Sequence, residues 1–290
     1  SIATLNPIIM VEPGTYPPFT VTPGFLGTLR IYADGTGPVI IDTTTGPVVF
    51  DTLDISSKVD VGGLTIGSGG SPFGAVEIID CDGLVILDEC ILTGGAGQPG
   101  VSVDNSDAVA LTRCDTAGTP GILLFNDSIV IAGNGTLDDT DVQDTSFLRT
   151  AGLTYGSTVA GTAELLDYGA GPHADIDVER FIPLDTPFTM TFSGFPNSFW
   201  GIFLSFDIGW ADLYSAGEFA HEMVPMADLG LGNLLAVLPF GPGGTLPLNS
   251  SLPAEGSILG LPIVVTMLNQ DTGSGNFRWS NVVTMIGMPE

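Results

Sequence analysis

The chain has 290 residues, enough for one large all-β domain or two ordinary ones. Six Lys and Arg stand against 33 Asp and Glu, a formal charge of −27, while only 13% of residues are charged at all. So few cations exclude a nucleic-acid binder and disfavour attachment to an anionic membrane surface, since both need basic side chains at phosphates.

A hydrophobic share of 44% leaves material for a core, so the acidic balance does not imply disorder. No apolar run reaches the roughly 18 residues of a membrane helix, so no membrane insertion is expected. The sequence starts at Ser1 with no basic and apolar leader, as expected after cleavage or trimming. From there Ile8–Val11 reads as an apolar strand. Short apolar runs recur along the chain between Gly, Pro, Asp, Asn and Ser, the mark of many short strands.

Four later runs open alike: Gly46-Pro47-Val48-Val49-Phe50, Gly74-Ala75-Val76-Glu77-Ile78, Pro99-Gly100-Val101-Ser102-Val103 and Pro120-Gly121-Ile122-Leu123-Leu124. Their lead apolar residues, 48, 76, 101 and 122, step by 28, 25 and 21. A second series, Val59/Val61, Val85/Leu87, Val109/Leu111 and Ile129/Ile131, steps nearly in phase, by 26, 24 and 20. Two strand series advancing together predict successive coils of a parallel β-helix. Val101 and Val103 should face in, Ser102 and Asp104 out. Corners fall at Asp80-Cys81-Asp82-Gly83, Asp104-Asn105-Ser106-Asp107 and Asn126-Asp127-Ser128, where inward Asn or Ser can stack in ladders.

The same register makes Cys90, Cys114 and Asn134 equivalent. Strands stacked about 4.8 Å apart nearly match the Cα separation of a disulfide. Cys90 and Cys114 are thus expected either as stacked thiols or as a bridge between coils. Asp138, Asp139, Asp141 and Asp144 form the densest acidic run. It is either a Ca²⁺ site or a solvated linker, and its spacing is not that of an EF-hand. His221 lies in Glu218-Phe219-Ala220-His221-Glu222, the wrong order for a zinc helix, and His173 is remote from the cysteines. Sequons occur at Asn126, Asn134 and Asn249, a chance-prone match in a chain rich in Gly, Ser and Thr.

From about residue 150 the coil pattern stops and aromatics thicken. Phe188–Gly194, Trp200–Phe206, Leu234–Leu238, Ile263–Leu268 and Val282–Ile286 read as strands. Turns at Gly241–Gly244 and Asp271–Gly275 separate them, which predicts an antiparallel β-sandwich. The expected domains are 1–145, a parallel β-helix, and 146–290, the sandwich. Trp200, Trp210 and Trp279 are read either as core or as a platform for carbohydrate or a partner.

Two resemblances add to this. Ile9-Met10-Val11-Glu12-Pro13-Gly14-Thr15-Tyr16 resembles the entry into right-handed parallel β-helices of the pectin-lyase-like superfamily, and Leu29-Arg30-Ile31-Tyr32 and Val39-Ile40-Ile41-Asp42 resemble its early coils. That likeness covers roughly residues 5–145 and implies fold, not activity. In the superfamily's enzymes, outward carboxylates hold Ca²⁺ beside a basic residue or act as acid and base. The outward acids here are Asp80, Asp82, Asp88, Glu89, Asp104 and Asp107, with only Arg113 and Lys58 as bases. Residues 152–288 resemble a C-terminal domain of unknown role on secreted bacterial proteins. The likeness rests on Pro183-Leu184-Asp185-Thr186-Pro187-Phe188, Leu259-Gly260-Leu261-Pro262-Ile263, Gln270 and Trp279-Ser280-Asn281.

The leading expectation is a non-catalytic, secreted structural or adhesive protein of a bacterial surface. It associates with itself, as a filament or coat subunit, with no catalytic residues and no cofactor unless Ca²⁺. The alternative is a polysaccharide-active enzyme, lyase or glycosidase, or a carbohydrate-binding module on the β-helix.

Overall fold

The computed structural model describes all residues except 1–5, 26, 69, 154, 168–173, 213–222, 228–233, 255, 271–276 and 290. The side chains of 209–212, 223–227, 236, 257 and 277–279 also lie outside the description. The chain divides into two compact units, Ser1–Gly171 and Pro172–Glu290.

The first unit is a parallel β-helix of three sheets. Sheet A runs through Ile8–Val11, Gly27–Ala33, Ser57–Gly62, Leu84–Asp88, Val109–Thr112, Ile129–Gly133, Phe147–Ala151 and Glu164–Asp167. Sheet B holds Gly14–Tyr16, Val39–Ile41, Thr65–Gly67, Ile91–Thr93, Asp115–Ala117 and Thr136–Leu137. Sheet C holds Thr20–Val21, Val48–Asp51, Val76–Ile79, Val101–Asp104, Ile122–Phe125, Thr140–Val142 and Ser157–Val159. Every one of these pairings is parallel and joins equivalent positions one coil apart. The expected series holds in sheet C: Val48, Val76, Val101 and Ile122 stand in register. Val101 and Val103 are buried in the shared core, while Ser102 and Asp104 are only partly covered.

Three expectations need correction. The inward pair in the fourth coil of sheet A is Val130 and Ala132, because Val109 pairs with Val130 and Leu111 with Ala132. Ile129 and Ile131 face outward. By the same one-residue offset Gly135, not Asn134, stacks on Cys114. A Cβ at Gly135 would lie 2.0 Å from the Cys114 carbonyl oxygen, which only glycine tolerates. Third, the solenoid does not stop at residue 145. Parallel strands continue to Glu164–Asp167, and the units divide at Gly171. The acidic run 138–144 is therefore a working coil, with Thr140–Val142 as a strand of sheet C, and not a linker.

Two corner ladders explain the turn composition. After sheet A, Gly63, Glu89, Arg113, Asn134 and Gly152 all take positive φ. After sheet C, Thr52, Asp80, Asn105 and Asn126 do the same. This left-handed conformation turns the chain sharply and suits Gly, Asn and Asp best. Just inside the second corner runs a buried ladder. Ser106 Oγ accepts from Cys81 N at 3.0 Å, Ser128 Oγ from Ser106 N at 3.3 Å, and Ser146 Oγ from Ser128 N at 3.2 Å. The three serines are fully buried, so their hydroxyls satisfy backbone donors that no water reaches.

In the second unit one sheet carries Asp175–Asp177, Pro187–Ser193 and Thr245–Ser251, all antiparallel. Ile208–Asp212 and Met223–Ala227 form a separate antiparallel pair. The larger sheet runs, in order, Phe181–Pro183, Val283–Met288, Pro262–Gln270, Phe199–Ser205 and Leu234–Pro239, with Phe277–Trp279 also on Pro262–Gln270. It is antiparallel apart from the first pair. The three-stranded and the larger sheet contribute to one core, including Ile176, Phe192, Trp200, Phe240, Met267 and Met285. The Ser-Asn pair noted near the end is structural. Ser280 Oγ accepts from Met267 N, and the Asn281 amide pairs with both Ile176 N and Ile176 O. It thereby stands in for a strand neighbour.

Candidate functional site

The outward acids of the solenoid are arranged along its corners, and most hold neighbouring coils together. Asp88 is buried and receives Arg113 at 2.8 Å and Thr112 Oγ1 at 2.8 Å. Arg113 also reaches Glu89 at 2.9 Å. Of the two bases expected near the acids, Arg113 is engaged, bridging two carboxylates. Asp80 accepts from Asn105 and Asp104 from Asn126, each at 2.7 Å, one coil on. Sequence reading overlooked a related group on sheet A, where Arg30, Tyr32 and Asp60 are all buried. Arg30 stands opposite Asp60 in register, and the Tyr32 hydroxyl hydrogen-bonds Asp60. Opposite charges at equivalent coil positions were the available signal.

Asp107 differs from these. Partial burial, with the carboxylates of Asp82 and Asp127 in neighbouring coils, raises its pKa. Burial alone raises Glu77.

The four candidate Ca²⁺ ligands do not converge. Asp138 lies at one corner, where its carboxylate accepts from Gly118 N, and Asp139 lies beside Gly156. Asp141 is on the next strand and accepts from Gln143. Asp144 is at the following corner with positive φ, its carbonyl accepting from Thr162. A three-residue strand sets the corners about 10 Å apart. Among the described residues no group of three or more His, Cys, Asp or Glu could hold a metal ion.

Cys90 and Cys114 occupy equivalent places on adjacent coils, between the Asp88–Thr112 and Ile91–Asp115 pairs. All three cysteines are free and buried. Cys114 Sγ donates to Leu87 O at 3.1 Å, and burial pushes its thiol well above the usual range. Of the two readings of this pair, the structure has stacked thiols.

Trp200 is not a surface platform. It is 1% exposed, 4.7 Å from the Phe192 ring and stacked on Phe240 at 5.2 Å. The alternation along Phe199–Ser205 turns it into the core, with Ile202 on the same side. Trp210 and Trp279 stand on strands, but their side chains lie outside the described residues, as do His173 and His221.

Exposed apolar side chains concentrate elsewhere. On Leu234–Pro239, an outer strand of its sheet, Leu234 is 50%, Leu235 60% and Val237 60% exposed. On Ile8–Val11, one outer strand of sheet A, Ile9 and Met10 are exposed.

No family model matches this chain, and no curated protein matches it. Among solved structures it is similar to a superoxide reductase (neelaredoxin) from Ignicoccus hospitalis. The identity there is 12% and the TM-score 0.24, over 40% of this chain and 80% of that one. It is also similar to the full-length tailspike protein 2 of Escherichia coli O157:H7 bacteriophage CAB120. That likeness has 9% identity and a TM-score of 0.27, over 96% of this chain and 64% of that one. At such scores neither bears on function, and the β-helix stands on its own ladders.

Proposed function

We propose that the chain is a non-catalytic structural or adhesive protein of an extracellular bacterial surface, associating with copies of itself. The observation that carries this reading is the use made of the outward polar groups. Asp80, Asp88, Glu89, Asp104 and Arg113 hold adjacent coils to each other, so the chemistry-bearing side chains act as clamps. Exposed apolar outer strands supply surfaces for association. We read the solenoid as the right-handed, pectin-lyase-like kind and the second unit as a β-sandwich. Electron microscopy and sedimentation of the native protein test the reading. Regular assemblies are expected, and a monodisperse monomer at high concentration, with and without Ca²⁺, would overturn it.

A second reading, a polysaccharide-active enzyme, is favoured by one observation: Asp107 with a raised pKa between Asp82 and Asp127. A carboxyl whose pKa is raised by burial and by nearby carboxyl groups is what glycoside cleavage uses as an acid. Screening uronic and neutral glycans for product release tests it. Release that Asp107→Asn abolishes would establish this reading in place of the first.

A further inference from the structure

We infer that the Leu234–Pro239 side of the second unit is a homotypic contact, taken by the same side of a second copy in a closed pair. The inference rests on the self-association proposed above and names the surface. Three observations converge. First, Leu234–Pro239 is the last strand in its sheet and pairs with Phe199–Ser205 alone among the described strands. Its described apolar side chains are exposed, Leu234 at 50%, Leu235 and Val237 each at 60% and Leu238 at 39%. Second, no charged residue lies between Asp228 and Glu255. That stretch includes Leu234–Pro239 and, after the Phe240–Gly244 turn, Thr245–Ser251, the outer strand of the other sheet. Two copies that each carry −27 repel one another nearly everywhere, and this uncharged stretch can meet its own copy without opposing like charges. An acidic surface has no complement in its neutrality, whereas a second copy matches it by identity.

Third, the strand is built against open-ended strand addition. Its pairing carries a register shift between Ile202 and Phe203, Pro239 lacks a donor, and so does Pro247 within Thr245–Ser251. Bulges and prolines blunt an edge for continuous pairing. The contact is therefore made by side chains, and the same patch on both partners closes about a twofold.

Sedimentation of the full chain over a range of concentration and salt is the test. The native chain should pair more tightly as salt screens the mutual repulsion. Val237→Asp and Leu235→Asp, both at exposed positions, should each weaken pairing more than about tenfold with an unchanged circular dichroism spectrum. Ile55→Asp, placed on a solenoid corner at 83% exposure, should leave it unchanged. Mixing Val237→Asp with Val237→Lys should restore association. If the native chain assembles and both Asp variants assemble equally well, the surface is wrong and the structural reading stands. If the native chain never associates, both fall.

Discussion

Ser106 shows how much a single hydroxyl carries in this solenoid. Its Oγ receives the Cys81 N–H and donates to Asp104 O, inside a corner with no access to water. Ser106→Ala leaves that donor without a partner and should cost about 1–3 kcal/mol by denaturant titration. A serine at the same place on the surface would cost almost nothing. Arg113→Ala should cost more, about 3 kcal/mol, because it strands the Asp88 carboxylate, 3% exposed, without a counter-charge. Asp107 works in the other direction. Its folded pKa lies above the ordinary 3.8, so the native state holds the proton more tightly than the unfolded chain does. Stability from this site is present at low pH and is lost as pH rises through the folded pKa. Asp107→Asn should therefore raise the melting temperature at pH 7 and give little gain below the ordinary Asp value. At this scale the serine ladder was legible, since corner Ser and Asn recur at coil spacing. The positive φ of Glu89 and Arg113 was not, because neither residue type signals it.

Elements were legible where alternation was clean. Val101-Ser102-Val103-Asp104 has one apolar face, and its register came out correctly. Ile129-Val130-Ile131 is apolar on both faces, so a slip of one residue exchanges the sides without penalty in the pattern. The structure turns Val130 and Ala132 inward. Val130→Ala should then cost about 2 kcal/mol, and Ile131→Ala distinctly less, despite losing more carbon; equal losses would overturn the register. Sheet B was legible only at its start, in Gly14–Tyr16 and Val39–Ile41. Its later strands have three residues or fewer, with single inward residues at Ile66, Leu92, Thr116 and Leu137. Periodicity cannot be read from one position per strand. The coil at Thr140–Val142 was hidden because its corner acids outweighed one buried valine and one buried threonine. In the candidate site, the rows of outward acids were visible from coil spacing. Their engagement with Arg113, Asn105 and Asn126 was not, since it depends on which coil lies alongside.

The whole molecule consists of two units with separate cores and very different ladders. Calorimetry should show two transitions, and added salt should raise both because the net charge of −27 is self-repelling. Coincident transitions insensitive to salt would contradict this. The solenoid also has a mechanical grain. Its strands repeat about 4.8 Å apart in the hydrogen-bonding direction, so those bonds run along the axis and coil boundaries bear tension in series. The weakest boundary then sets the strength of the stack. Among the described residues sheet B ends at Thr136–Leu137 and sheet C at Ser157–Val159, so the last, partial coil, Glu164–Asp167, is held by the ladder of sheet A alone. Under an axial pull the solenoid should tear there first, shedding its last coil while the boundaries laced by three ladders remain closed.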